Sequence, residues 1–249
     1  MDTTPNVALP NASAAPALVR PRYWYTVGRV GLLVTLFWLL EFVYQYYVLV
    51  PELLGIALVR SLGLTGATLI SAALLCSIVF KFYPRLAGHW HLRRRLGVAG
   101  FVFICCHVAL AIAYYYSWNL GFVYFSWNPL ENPVVFGTIA LPILFVMAAT
   151  STDWAVRQLG RWWKFIHRFV YVAFVAAIFH FILINPTALY NPAGYFLGVL
   201  VVATLLGQFY WYIRISALKH FRSLGAAVGA LIILLSVVMG YFVYLQLFS

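Results

Sequence analysis

The sequence predicts an all-α integral membrane protein: a bundle of seven transmembrane helices, N-terminus cytoplasmic, C-terminus outside. Three observations predict it. The 249 residues are 65% hydrophobic and only 8% charged, whereas a soluble domain carries about 25% charged residues. Seven apolar runs, 26–49, 62–83, 96–116, 134–152, 163–184, 193–213 and 224–247, each approach the roughly 20 residues a helix needs to cross a bilayer. Fifteen of the sixteen basic residues fall on one side of that alternation, which the positive-inside rule assigns to the cytoplasm.

Residues 1–22 hold Pro5, Pro10 and Pro16 among small side chains. They lack a compact apolar stretch behind a basic start, so they read as a disordered cytoplasmic tail rather than a cleaved signal. Asn11-Ala12-Ser13 fits a glycosylation acceptor but falls on the cytoplasmic side. Residues 23–61 comprise the first transmembrane helix and an outer loop. That helix carries Glu41 and Gln45, and the loop carries Arg60, the single basic residue on the outer side.

Residues 62–213 form the core. Lys81, Arg85, Arg93, Arg94 and Arg95 separate spans 2 and 3, and Arg157, Arg161, Lys164 and Arg168 lead into span 5. The outer loop from Tyr116 to Pro133 has Glu131 as its only charge and is rich in aromatics. It reads as an interfacial aromatic belt, with a docking surface as the alternative. Pro142 is expected to kink span 4. Gly194 and Gly198, like Gly225 and Gly229, have the spacing of close helix packing. Residues 214–249 comprise a cytoplasmic loop and an additional C-terminal transmembrane helix.

The net charge of +11 is scattered between apolar runs, which argues for membrane orientation and against nucleic-acid binding. Cys76, Cys105 and Cys106 form no CxxC, so a dithiol or zinc site is not expected. Cys105-Cys106-His107 lacks the spacer of the covalent haem motif.

Ionisable groups inside hydrocarbon are costly and usually functional. His107 lies in span 3, and His167 and His180 lie in span 5. Spans 3 and 5 run parallel. His107 is 12 residues past Arg95 and His180 is 16 past Lys164, about 18 and 24 Å along their helices. A depth mismatch of about 6 Å can be absorbed by tilt. Paired axial imidazoles suit a haem that transfers electrons, because no iron position stays open for substrate. His107 with His180 is the first ligand pair, and packing histidines are the alternative. His167 sits about 20 Å lower, about 140° away on a straight helix. It is a candidate for a second haem or a polar interfacial residue. Arg93, Arg94 and Arg168 are candidates for haem propionates, or ordinary basic anchors. Trp162 and Trp163 read as interface anchors, and Glu41 as either a proton- or quinone-site residue or a partner of Gln45. His89, His91 and His220 read as solvated.

These residues resemble a known family. Arg93-Arg94-Arg95-Leu96-Gly97 with Phe101 and His107, Thr150-Ser151-Thr152, Leu159-Gly160-Arg161-Trp162, His167-Arg168-Phe169-Val170-Tyr171 and His180 look like the ferric reductase-like transmembrane domain. The likeness covers roughly 62–213 and is nearest to a short bacterial branch of haem-binding membrane subunits serving a periplasmic methionine sulfoxide reductase. The resemblance implies one haem b or two, on His107 and His180 with His167 a further ligand candidate. It implies electrons from the quinone pool or a separate flavoprotein, an association with FMN, an outer molybdenum-containing partner and a bacterial inner-membrane location. The seventh span departs from that branch, and the first span and the N-terminal tail show no clear match to it. The chain carries no GxGxxG after a strand pattern, unlike the longer members with nicotinamide domains. The expected function is therefore a membrane cytochrome b passing electrons from quinol or a flavin donor to an outer acceptor. The rivals are a ferric-chelate reductase and a cofactor-free transporter or assembly protein.

Overall fold

The computed structural model describes residues 23–218, and every regular element in that stretch is helical. The helices are α1 (Tyr23–Tyr44, continued by a π-helical turn over Gln45–Leu49), α2 (Leu54–Phe82), α3 (Trp90–Tyr116), α4 (Leu120–Val123), α5 (Val134–Ala149), α6 (Asp153–Leu159), α7 (Arg161–Ile166), α8 (Val170–Ile184) and α9 (Pro192–Leu218). Five stretches are long and apolar enough to cross a membrane: Val27–Leu49, Leu54–Phe82, Trp90–Tyr116, Arg161–Ile184 and Pro192–Arg214. The pair α5 and α6 makes a sixth if counted as one span broken by a 96° bend. The protein is thus an all-α integral membrane protein. The tail 1–22 and the expected seventh span, 224–247, lie outside the described residues, as does Gly225 with Gly229.

Two helices begin earlier than the apolar runs. α2 starts at Leu54 rather than 62, because Arg60 does not end a helix: its stem can run along apolar surface while its charge reaches the interface. α3 starts at Trp90 rather than 96, and its first turn is tied by the Arg94 guanidinium 4.9 Å over the Trp90 ring, one helical turn apart. Span 5 is not one helix. Gly160 takes a φ of +48°, the region glycine enters without a Cβ penalty, and turns the chain from α6 into α7. A 3₁₀ turn over His167–Phe169 then separates α7 from α8.

α2 is the central post, packed against α1, α3 and α9. Its buried face is built largely from small residues, including Ala57, Ser61, Thr65, Gly66 and Ser71, which let neighbouring backbones approach closely. At the α2–α3 crossing a Cβ on Gly66 would sit 3.0 Å from the Gly100 carbonyl oxygen, and one on Gly100 would sit 3.0 Å from the Gly66 carbonyl oxygen. The hydroxyls of Ser61, Ser71 and Ser77 donate to Leu58, Ala67 and Ala73 carbonyls, so these polar atoms are satisfied within their own helix. One core joins Leu64, Ile70 and Leu74 of α2 to Leu144 of α5, Phe174 of α8 and Leu197 of α9. Leu32, Leu33 and Leu40 of α1 and Val202 and Leu206 of α9 point outward, as lipid-facing positions must. Gly194 packs on the backbone of Ala188 and Gly198 lies beside Leu189, so that pair seats α9 on the turn before it rather than on another helix.

Candidate functional site

α3 and α8 bring His107 and His180 together, with imidazole centres 6.4 Å apart and ring planes inclined at 76°. Each ring is anchored by a neighbouring helix. His107 Nδ1 donates to the Val59 carbonyl of α2 at 2.8 Å, and His180 Nδ1 donates to the Pro133 carbonyl at the start of α5 at 3.1 Å. A carbonyl can only accept, so each Nδ1 carries the proton and each Nε2 is left with its lone pair.

This arrangement fits haem. A metal–imidazole bond is about 2 Å and the nitrogen lies about 1 Å from its ring centre, so a metal between two facing imidazoles sets the centres about 6 to 6.5 Å apart. Two imidazoles are half of a tetrahedral zinc site but the complete axial set of a porphyrin iron. Among the described residues no group of three or more His, Cys, Asp or Glu side chains gathers as a metal site. A ligating histidine characteristically gives its other N–H to a carbonyl or carboxylate, as both do here. The depth mismatch expected from residue counting does not arise. Lys164, the reference for His180, belongs to α7, whereas His180 belongs to α8 beyond the 3₁₀ turn, so the two residues do not lie on one continuous α-helix.

His167 occupies a separate cluster. Its Nε2 lies 3.1 Å from Thr150 Oγ1, and the Trp163 ring stacks on it at 3.9 Å. Trp163 Nε1 donates to the Thr150 carbonyl at 2.9 Å, so Trp163 braces this cluster, whereas Trp162 is exposed as an interface anchor should be. The Thr-Ser-Thr stretch has three separate tasks. Thr150 holds His167, Ser151 Oγ donates to the Met147 carbonyl at 2.6 Å, and Thr152 caps α6 by accepting from Ala155 N at 3.1 Å. The 3₁₀ turn also alters the phase between the two histidines of span 5. Three residues at about 120° instead of about 100° reduce their separation from about 140° to about 80°.

The three candidate arginines diverge. Arg93 lies within electrostatic reach of Tyr171, Cys76 and His167. Arg94 pairs with Asp153 at 2.6 Å and ties α3 to α6. Arg168 lines an open groove of about 530 Å³ with Arg161, Trp162, Lys164 and Phe165. All three stand at the basic end, on the level of His167 rather than of the histidine pair. Glu41 is buried and accepts from Gln45 Nε2 at 2.8 Å, one of the alternatives the sequence left open for it. His91 stacks on Trp90 at 3.8 Å, so it is not simply solvated. His220 lies outside the described residues.

Two positions escaped the sequence reading. Gly63 of α2 backs the His107 ring and Gly137 of α5 backs the His180 ring, at contacts a Cβ would crowd. The signal was available only through the antiparallel register of each hairpin, because an isolated glycine in an apolar helix reads as packing.

Comparison with known proteins gives the class first. Residues 62–178 match the family described as ferric reductase like transmembrane component; His180 lies just beyond the matched stretch. At closer range the chain is similar to proteins named protein-methionine-sulfoxide reductase heme-binding subunit MsrQ. The one from Agrobacterium fabrum is 28% identical over 111 residues, covering 44% of this chain and 51% of the relative. The one from Brucella anthropi is 33% identical over 92 residues, 36% and 41%. The one from Brucella ovis is 30% identical over 115 residues, 46% and 50%. The chain spans about half the length, or less, of these curated relatives. No solved structure matches.

Proposed function

We propose that this chain is a membrane cytochrome b subunit in which His107 and His180 are the axial ligands of a haem b. It passes electrons from quinol or a flavin donor on its basic, cytoplasmic side to an acceptor on the opposite side. The observation that carries the reading is the pair of imidazoles 6.4 Å apart, each with Nδ1 turned to a backbone carbonyl. The relatives' name as heme-binding subunits supports it. The haem-binding core is residues 62–213.

Haem iron supplies one-electron redox chemistry when bound. The residues contribute ligation and orientation: the Val59 and Pro133 carbonyls hold each imidazole in the tautomer that presents Nε2. With His107 and His180 both holding the iron, these residues would leave no position for substrate, so substrate chemistry would belong to a partner on the outer side. By likeness to the relatives, that partner is a periplasmic reductase of oxidised methionine. His167 is the ligand candidate for a second haem at the basic end, where Arg93, Arg94 and Arg168 would meet propionates. Its Nε2 would first have to exchange Thr150, and Arg94 would have to leave Asp153. FMN and quinone belong to the donor side. The family description favours a second reading, direct reduction of a ferric chelate outside the membrane.

The test is the oxidised and dithionite-reduced absorbance spectrum of the purified full chain, with a pyridine haemochrome assay per polypeptide. Low-spin b-type bands are expected. They should be lost in His107→Ala and His180→Ala and kept in His91→Ala. A ratio near one haem leaves His167 with Thr150, and a ratio near two assigns it a haem. Unchanged spectra in both span variants would overturn the ligand assignment. Ferric-chelate reduction by the isolated protein would favour the second reading.

A further inference from the structure

We propose that Gly63 and Gly137 are positioning residues, each half of a seat for imidazole that the fold uses twice. The proposal rests on the haem reading above. The Val59 carbonyl that accepts from His107 lies one helical turn before Gly63, and the Pro133 carbonyl that accepts from His180 lies one turn before Gly137. A Cβ on Gly63 would sit 2.8 Å from His107 Nδ1, 3.0 Å from Cε1 and 3.3 Å from Cγ. A Cβ on Gly137 would sit 3.3, 3.4 and 3.5 Å from the same three atoms of His180. The same ring atoms are met in the same order at both places.

Helix geometry explains the recurrence. The carbonyl of residue i points along the axis towards residue i+4, and the Cα–Cβ bond of residue i+4 tilts back towards the N-terminus. Any side chain at i+4 therefore fills the space from which a second donor reaches the carbonyl at i. Removing that side chain lets an imidazole lie flat against the helix and donate Nδ1–H to a main-chain oxygen. The bond sets the tautomer, and the glycine behind the ring sets its plane. α2 and α5 each supply one seat near their N-terminal ends, and the partners α3 and α8 supply the histidines. Two seats on separate helices hold the rings at their 76° inclination.

The test uses the full chain in detergent with its haem, as Gly63→Ala, Gly137→Ala and the control Gly97→Ala, whose Cβ would meet only the Ala73 Cβ at 3.9 Å. The readouts are haem retention and the low-spin electron paramagnetic resonance line, which responds to the angle between axial ligand planes. Gly63→Ala should weaken haem retention about tenfold or more, the scale for losing an outer partner of a metal ligand, and shift the line. Gly137→Ala should keep haem and shift the line less. Gly97→Ala should match the wild type. Wild-type retention and line shape in both seat variants would overturn the proposal. If Gly63→Ala does not fold, Gly137→Ala and the larger Gly137→Val decide the matter by the same criteria. If the wild type holds no haem, the functional reading fails and the seat is tested separately, by ¹⁵N shifts of the imidazoles in the haem-free protein. Nδ1–H tautomers at His107 and His180, lost at His107 in Gly63→Ala, would support it. An unaltered His107 tautomer in that variant would overturn it.

Discussion

Alanine at two glycines of α3, a single turn apart, should change stability in opposite directions. At position 100 the new Cβ would lie 2.8 Å from Ile70 Cγ1, 3.0 Å from the Gly66 carbonyl oxygen and 3.2 Å from the Ile70 backbone nitrogen. Two of those three atoms are main chain and cannot rotate away. Ordinary contact begins near 3.4 Å, so α2 and α3 must part locally by about 0.4 Å, which a close-packed interior resists. Overpacking of this kind costs about 1–3 kcal/mol, while replacing glycine by alanine in a helix returns about 0.8–1 kcal/mol. Gly100→Ala should therefore destabilise by about 1 kcal/mol. At position 97 the nearest atom is the Ala73 Cβ at 3.9 Å, an ordinary contact, and Gly97→Ala should keep most of the helix gain, up to about 1 kcal/mol. Reversible unfolding in mixed micelles titrated with sodium dodecyl sulfate, followed by near-ultraviolet circular dichroism, measures both. Equal shifts of the same sign would refute the claim that backbone proximity at the crossing governs the outcome.

Three further outcomes are expected. Thr152→Ala removes the cap that accepts from Ala155 N, worth about 1 kcal/mol, so the α6 amides should exchange hydrogen about fivefold faster while α5 is unaffected; unchanged exchange over 153–159 would show that the cap contributes nothing. Asn132 is 2% exposed and donates to the Val123 and Ser126 carbonyls. Asn132→Ala should cost about 1–3 kcal/mol, read as a lower midpoint of thermal unfolding, and a wild-type midpoint would count against this amide organising the outer loop. Hydrogen bonds from Ser126 and then Asn128 hold the Glu131 carboxyl below its ordinary value of 4.5. A folded pKa below the unfolded one means the contribution is complete above pH 4.5 and is lost as pH falls through the lowered folded value. Loop tryptophan fluorescence should change in that acid window, and Glu131→Gln should abolish the transition; persistence in the variant would assign it to another group.

The spans and the histidine pair were legible because hydrocarbon imposes a simple rule: long apolar runs become helices, and the few polar groups within them stand out. His107 and His180 were recognisable on that ground. Helix ends were less legible. Arg60 and the basic residues from Arg93 to Arg95 looked like loop because charge interrupts an apolar run, yet long cationic stems sit within α2 and α3. The break at His167–Phe169 was invisible because no proline or glycine marks it, and the contacts of His167 with Thr150 and Trp163 are tertiary or side-chain contacts that the sequence does not display. Trp163 looked like an interface anchor because an aromatic near arginines usually is one; its stacking on His167 one turn away and its bond to the Thr150 carbonyl show it bracing the cluster instead. The roles of Thr150, Ser151 and Thr152 also needed coordinates, since their hydroxyls bond to three different elements.

Both imidazole anchors are main-chain oxygens, and this shapes how mutation reaches the site. No substitution at Val59 or Pro133 can delete its own carbonyl, so these positions are robust in a way that an aspartate or asparagine anchor would not be. The hazard moves one helical turn along, to Gly63 and Gly137, where every available replacement adds atoms. Half of each anchor is thus written in a part of the polymer shared by all residues, and half in an empty volume. Random mutagenesis scored by side-chain chemistry would pass over the carbonyls and find the glycines.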